Sequence, residues 1–180
     1  YTYGTNGIAV PSGKEYLVNL YSDEQAKKDI EAVRDKVDLL LVSMHWGVEY
    51  QSEPNEEQKR EAEYLASLGV DIIIGTHPHV IQPITYIDDT LVIYSLGNFI
   101  SAQYQDANYN KMVGLMTSFT IEKNVKNKKT SIKITDVNNE LVYTYYRSWR
   151  NFKVVPFSSE SIGDYLPSYR SVYDTYKGIV

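Results

Sequence analysis

All three histidines of the chain, His45, His77 and His79, stand just past the ends of short apolar runs. The runs read VDLLLVSMHWGVE over residues 37–49 and VDIIIGTHPHV over residues 70–80. Both are too short for capped helices and almost free of charge, which predicts strands buried on both faces. Between them, Asn55 and Gln58 form a capping signature behind Pro54; Ala62, Leu65, Ala66 and Leu68 make an apolar stripe, and Gly69 supplies the stop. A strand, a helix and a strand in that order form a right-handed crossover whose parallel strands end on one edge of the sheet. Open α/β sheets bind their ligands along that edge. Neighbouring strands are about 4.8 Å apart, so residues directly after them come within roughly 5–7 Å of each other. His45 and His77 are therefore expected to converge.

Neutral imidazole is the commonest side-chain ligand for zinc and also suits manganese and iron. His77 and His79 flank Pro78 and cannot ligate as a helical i, i+4 pair would. They can point along one loop, with Pro78 fixing the turn and Gly75 letting the backbone leave the strand sharply. A single histidine is more often a hydrogen-bonded structural residue than a ligand, but three at strand ends favour a metal site. Spacing names neither the metal nor the reaction.

Composition removes several classes. A net charge of −5 and a pI near 5.2 provide no field for nucleic acid or an anionic membrane. Without cysteine there is no disulfide, thiol nucleophile or thiolate site. No signal peptide or run of eighteen apolar residues is visible, but the chain opens on Tyr1 rather than Met, so an upstream segment is expected. At 180 residues and 43% hydrophobic, one domain with a real core fits. Seventeen tyrosines suit sheet faces and partner-covered surfaces.

Elsewhere, residues 1–20 read as extended chain broken by turns, with 16–20 extended. Ser22 and Gln25 open a helix that carries Ala26, Ile30 and Val33 and runs to about Lys36. The charged face of the second helix (Glu56, Glu57, Lys59, Arg60, Glu61, Glu63) reads as solvated surface. Residues 84–87 and 91–94 flank an acidic turn as a hairpin. A polar loop (103–110), a strand (113–121) and a basic turn (124–129) follow. A further strand runs through Ile132, Ile134 and Val137, with a turn at Asn138 and Asn139 and extended chain over 141–147. Residues 153–156 end the sheet region, and 169–177 have weak helical character.

The segments HWGVEY (45–50), GVDIIIGTHPHVIQPI (69–84) and VIYSLGNFI (92–100), in that order, resemble the bacterial capsule synthesis protein CapA family. YTYGTNGIAVP (1–11) and FKVVPF (152–157) extend the likeness to most of the chain. That family includes poly-gamma-glutamate biosynthesis proteins and is related to calcineurin-like metallophosphoesterases. The resemblance implies an α/β fold, the C-terminal half of a metallophosphoesterase-like four-layer α/β/β/α sandwich, with a β-α-β unit and a following, mostly antiparallel sheet. Residues 1–157 would be that portion and 158–180 a C-terminal tail. It also implies a dinuclear centre of manganese, zinc or iron ions, in which His45 and His77 share one metal and His79 belongs to the other. Paired cations lower the pKa of a bridging water and stabilise charge on a phosphoryl group. The superfamily's carboxylate ligands and asparagine lie in an N-terminal half with no match here, so this fragment is expected to be inactive unless that half joins it. The function implied is capsule (poly-gamma-glutamate) synthesis or export at the extracellular face of the membrane, anchored upstream, with other capsule synthase components as partners. The rival is a non-catalytic scaffold or polymer-binding component of the synthase; a third, weaker reading is an intracellular phosphoesterase acting on a small substrate. An unpaired sheet edge would allow homo-oligomers.

Other residues have two readings each. Glu49 is either a partner that orients His45 or contacts substrate, or a surface carboxylate beside a helix start. Asn98, in the turn after Gly97, either points back at the site as a substrate contact or satisfies backbone groups of the turn. Trp46 reads as a packing wall ahead of a substrate platform. Ser95 lacks a histidine–acid relay, so a serine hydrolase finds no support.

Overall fold

The structure is a computed structural model that describes residues 1–103, 109–127 and 129–180. Within the polar loop expected over 103–110, residues 104–108 lie outside the described residues, as does Lys128 of the basic turn.

Two helices begin where their caps lie. In α1 (Asp23–Val33) the Ser22 hydroxyl accepts from the Gln25 amide, and α2 (Glu56–Ser67) starts with a reciprocal Asn55–Gln58 capping box. With β1 (Leu41–His45) and β2 (Ile72–Thr76), α2 completes the crossover unit. The two strands pair in parallel from Leu41↔Ile72 to His45↔Thr76. The expected hairpin is present as β3 (Ile84–Ile87) and β4 (Thr90–Ile93), and β4 also pairs in parallel with β2. The result is a mixed four-strand sheet ordered β1-β2-β4-β3.

Strand parity sorts this sheet's two faces. Val42, Met44, Ile73 and Val92 pack with Ala26 and Ile30 of α1 and Ala62 and Leu65 of α2. Ile72, Leu91 and Ile93 point the other way, against Ile134 and Phe119 of a second sheet. That sheet is antiparallel, ordered β5 (Val113–Lys126), β6 (Lys129–Arg147) and β7 (Arg150–Pro156). Its strands Val113, Leu115, Leu141, Tyr143 and Val155 bury together with Ile162 of α3 (Ile162–Tyr165) and Val172 and Tyr176 of α4 (Tyr169–Tyr176). The C-terminal residues therefore contribute to a core cluster.

Several local expectations change. β1 is not buried on both faces: Val42 and Met44 are buried, but Leu41 is 45% exposed. The strand lies at the end of the sheet, and among the described residues its far edge is met by the opening residues, with the Tyr3 amide donating to the His45 carbonyl and the His45 amide to that of Tyr1. Central β2 and β4 are covered on both sides, as their continuous apolar runs demand. Residues 16–20 are not an extended run, because Glu15–Leu17 makes one 3-10 turn. The turn expected at Asn138 and Asn139 is absent, and β6 runs straight through both. Asp136, at φ 52°, takes up the irregularity instead: Ser118 pairs with Asn138 and Thr120 with Thr135, so two residues of β6 oppose one of β5 in a bulge. The actual reversal follows Arg147, where Ser148 and Trp149 both adopt positive φ, the geometry of a tight two-residue hairpin turn.

The charged face of α2 also differs. Glu61 is buried, not solvated. Burial, together with the neighbouring Glu57 carboxylate, pushes the Glu61 carboxyl up to about 7 against the pull of Arg60.

Candidate metal centre

The parallel register carries the histidines to one rim. His45 is the last residue of β1, paired with Thr76, and His77 follows directly after β2. Their ring centroids are 4.4 Å apart, and the His79 ring lies 6.0 Å from that of His77. Tyr3, from the strand-like opening segment, stacks on His45 at 5.5 Å and meets His77 at 4.8 Å.

Backbone strain marks the loop that delivers the second and third rings. His77 and His79 hold φ of 98° and 61°, a region that non-glycine residues rarely enter and that costs about 1–3 kcal/mol per residue. Gly75 has a different role from the one expected of it. It is not needed for a sharp exit from the strand; it provides space, since a Cβ there would stand 2.0 Å from the Tyr94 carbonyl oxygen and 2.4 Å from the Trp46 indole nitrogen. That nitrogen donates to the Tyr94 carbonyl at 2.9 Å, a buried bond that makes Trp46 a packing wall behind His45.

Among the described residues, Glu49, His77 and His79 bring ligating atoms within 4.8 Å of one another. Glu49 Oε1 lies 4.0 Å from His79 Nε2. His45 is outside this set, on the Tyr3 side of His77. Its Nδ1 is 2.9 Å from the Thr2 hydroxyl, which donates its own proton to the Gly4 carbonyl at 2.8 Å. His79 Nδ1 is 2.9 Å from Asn98 Oδ1. Asn98 therefore does point back at the site, while its amide nitrogen also donates to the Lys111 carbonyl.

The loop that carries Glu49 is held from below. Tyr50, at φ 67°, donates its amide to the Pro78 carbonyl at 2.7 Å and stacks on His79 at 6.0 Å. Buried Gln82 donates to the Gln51 and Glu53 carbonyls and accepts from the Gln58 side chain. Gln58 thus both caps α2 and braces this loop. Sequence reasoning missed Thr2 and Tyr3, which no spacing rule links to histidines more than forty residues away, and Gln82, whose bonds run to Gln51 and Glu53 about thirty residues back.

Two observations fit a divalent cation. His77 Nδ1 is buried with no hydrogen-bond partner, and an unpaired buried polar atom is costly unless something satisfies it. Burial, chiefly, and then the neighbouring His45 hold His77 below the usual imidazole range; burial, followed by His79, does the same for His45. Both rings are consequently uncharged at neutral pH, the form that ligates metal. Two imidazoles with one carboxylate suit zinc, manganese or iron.

A profile of the family described as bacterial capsule synthesis protein PGA_cap matches residues 2–103, which include every residue of the rim named above apart from Lys111. Over 109 residues the chain is 42% identical to the PGA biosynthesis protein CapA of Bacillus subtilis (strain 168), covering 57% of this chain and 29% of that relative. Over 80 residues it is 38% identical to the capsule biosynthesis protein CapA of Bacillus anthracis, covering 44% of this chain and 20% of the relative. The chain thus spans less than a third of the length of either relative.

Proposed function

Because the chain belongs to the bacterial capsule synthesis protein family PGA_cap, we propose that it is the part of a capsule (poly-gamma-glutamate) biosynthesis protein that supplies the histidine side of a metal-dependent, phosphoesterase-like centre. The observation that carries this reading is the cluster of Glu49, His77 and His79 at the carboxyl edge of parallel strands, one of whose histidines, His77, also has a buried unpartnered Nδ1. Glu49, His77 and His79 would hold a first ion, and His45, beside His77, would be available to a second completed by carboxylates from elsewhere in the full-length protein. A divalent ion in such a site lowers the pKa of a bound water and offsets charge on a phosphoryl oxygen. The chain's own residues position and shield: Tyr3 covers His45 and His77 on one side, Tyr50 stacks on His79, and Gln82 keeps the Glu49 loop against the rim.

The order of packing, helices α1 and α2 on the mixed sheet, that sheet on the antiparallel one, and α3 and α4 clustered with the latter, supports the four-layer sandwich that a metallophosphoesterase-like domain requires. The names of the two relatives support a place in capsule (PGA) biosynthesis; a position at the cell surface beside other synthase components is part of the same proposal. Among the described residues no helix is long and apolar enough to cross a membrane.

The test uses a protein extended to the relatives' full length. It is expected to retain zinc, manganese or iron through dialysis and to hydrolyse a model phosphodiester, with His77→Ala and His79→Ala each reducing both metal content and turnover at least about tenfold. Unchanged turnover in those variants refutes the catalytic reading. Metal retention with no turnover on any phosphoester supports the scaffold role instead.

A further inference from the structure

We infer that Asn98 is a positioning residue that fixes the tautomer of His79, so that the imidazole presents an unprotonated Nε2 to Glu49 and the metal; the inference rests on the metal-site reading above. The Asn98 amide nitrogen lies 3.0 Å from the Lys111 carbonyl and 3.0 Å from Gln103 Oε1. A backbone carbonyl only accepts, so the NH2 end of Asn98 is assigned to that side and its Oδ1 to the other. Oδ1 carries no proton, and it lies 2.9 Å from His79 Nδ1. Nδ1 must therefore be the protonated nitrogen of the neutral ring. Nε2 keeps its lone pair and faces Glu49 Oε1 at 4.0 Å.

An unprotonated Nε2 and a carboxylate oxygen 4.0 Å apart repel unless a positive charge lies between them, either a second ring proton or a bound cation, and at a pH where the ring is neutral that charge has to be a cation. Free imidazole side chains favour the opposite tautomer, with the proton on Nε2, which would block that position. Ligating histidines generally rely on such an outer hydrogen bond to set ring orientation and basicity. The asparagine is itself well anchored. It follows Gly97, at φ 66°, and its own carbonyl lies against Gly114, where a Cβ would come within 2.1 Å. Asn98 thus links the hairpin exit, the Lys111 backbone and the His79 ring.

The experiment reads the His79 ring nitrogens by long-range proton–nitrogen NMR at pH 8 in the metal-free chain, together with zinc titration by calorimetry. Three proteins are compared: unaltered, Asn98→Ala and Asn98→Asp. The aspartate keeps an acceptor for Nδ1–H but loses the donor to Lys111, which separates positioning the ring from anchoring the loop. The expected result is a proton on Nδ1 in the unaltered protein and in Asn98→Asp, and a shift toward Nε2–H in Asn98→Ala with zinc affinity about 10–100-fold lower. A bare Nδ1 in the unaltered protein, or an unchanged tautomer in Asn98→Ala, overturns the assignment. So does equal loss of zinc affinity in both variants with no tautomer change, which is what a purely structural role produces. Tautomers as expected but no zinc uptake by the unaltered protein support the positioning role and overturn the metal-site reading instead.

Discussion

Gly75→Ala is a demanding check on how the rim is built, because the residue lies where two strands and a buried indole meet. An added Cβ would be 2.0 Å from the Tyr94 carbonyl oxygen, 2.7 Å from its carbon and 2.4 Å from Trp46 Nε1. Two of these atoms are backbone and the third is on a side chain that is 1% exposed, so none can rotate away into solvent. Overpacking of a rigid interior costs about 1–3 kcal/mol. Losing the Trp46–Tyr94 hydrogen bond leaves a buried donor and acceptor unpaired, at about 1–3 kcal/mol more. The sum is roughly 2–6 kcal/mol, a large share of the ~5–15 kcal/mol typical of a domain. At about 2–4 °C per kcal/mol for a chain of this size, the melting temperature should fall by roughly 4–24 °C. Urea and thermal unfolding followed by circular dichroism measure this. Trp46→Phe, which removes the donor without adding a clash, should lose the hydrogen-bond part together with the cavity left by the smaller ring. A Gly75→Ala protein within 1 kcal/mol of the original would show that the close approach is not real.

The remaining predictions concern charge. Glu61, with its carboxyl pushed up to about 7 from an ordinary 4.5, binds its proton more tightly folded than unfolded. Its contribution is therefore complete below pH 4.5 and lost as pH rises through 7; Glu61→Gln, which does not titrate, should gain about 2–3 kcal/mol on the original between pH 5 and 8. Equal urea midpoint differences at both pH values contradict this. His45 and His77 act in the opposite sense. Their protonation is depressed by folding, so stability is complete above the unfolded value of 6.5 and falls as pH drops below it. In the Glu61→Gln background, where the competing carboxylate is silent, the metal-free protein should be more stable at pH 7.5 than at pH 5, and replacing both histidines with glutamine should flatten that slope. Zinc affinity should decline over the same acid range, as the imidazoles must be neutral to ligate.

Periodicity and punctuation along the chain were sufficient for the crossover unit. The apolar runs, the Ser22 and Asn55 caps and the Gly69 stop are local signals, and local signals determine which residues become strand or helix. Because parallel strands end on one edge, the same signals brought His45 and His77 together and left His79 close by. What the sequence could not determine is which atoms meet once the loops fold back. Glu49 joins His77 and His79 because the Glu49 loop is pinned to Pro78 and Gln82, contacts between segments about thirty residues apart. Tyr3 and Thr2 reach the site because the opening residues pair with the free edge of β1, and Glu61 is buried because it shares the helical face of Gln58, Ala62 and Leu65 that α2 turns inward, a placement its charge masked in the sequence. The turn expected at Asn138 and Asn139 gave way to a bulge because cross-strand pairing outweighs the turn preference of two asparagines. Sequence period assigns a residue to a face, but distances across a rim depend on strained loops and on packing between layers, and only the tertiary structure decides those.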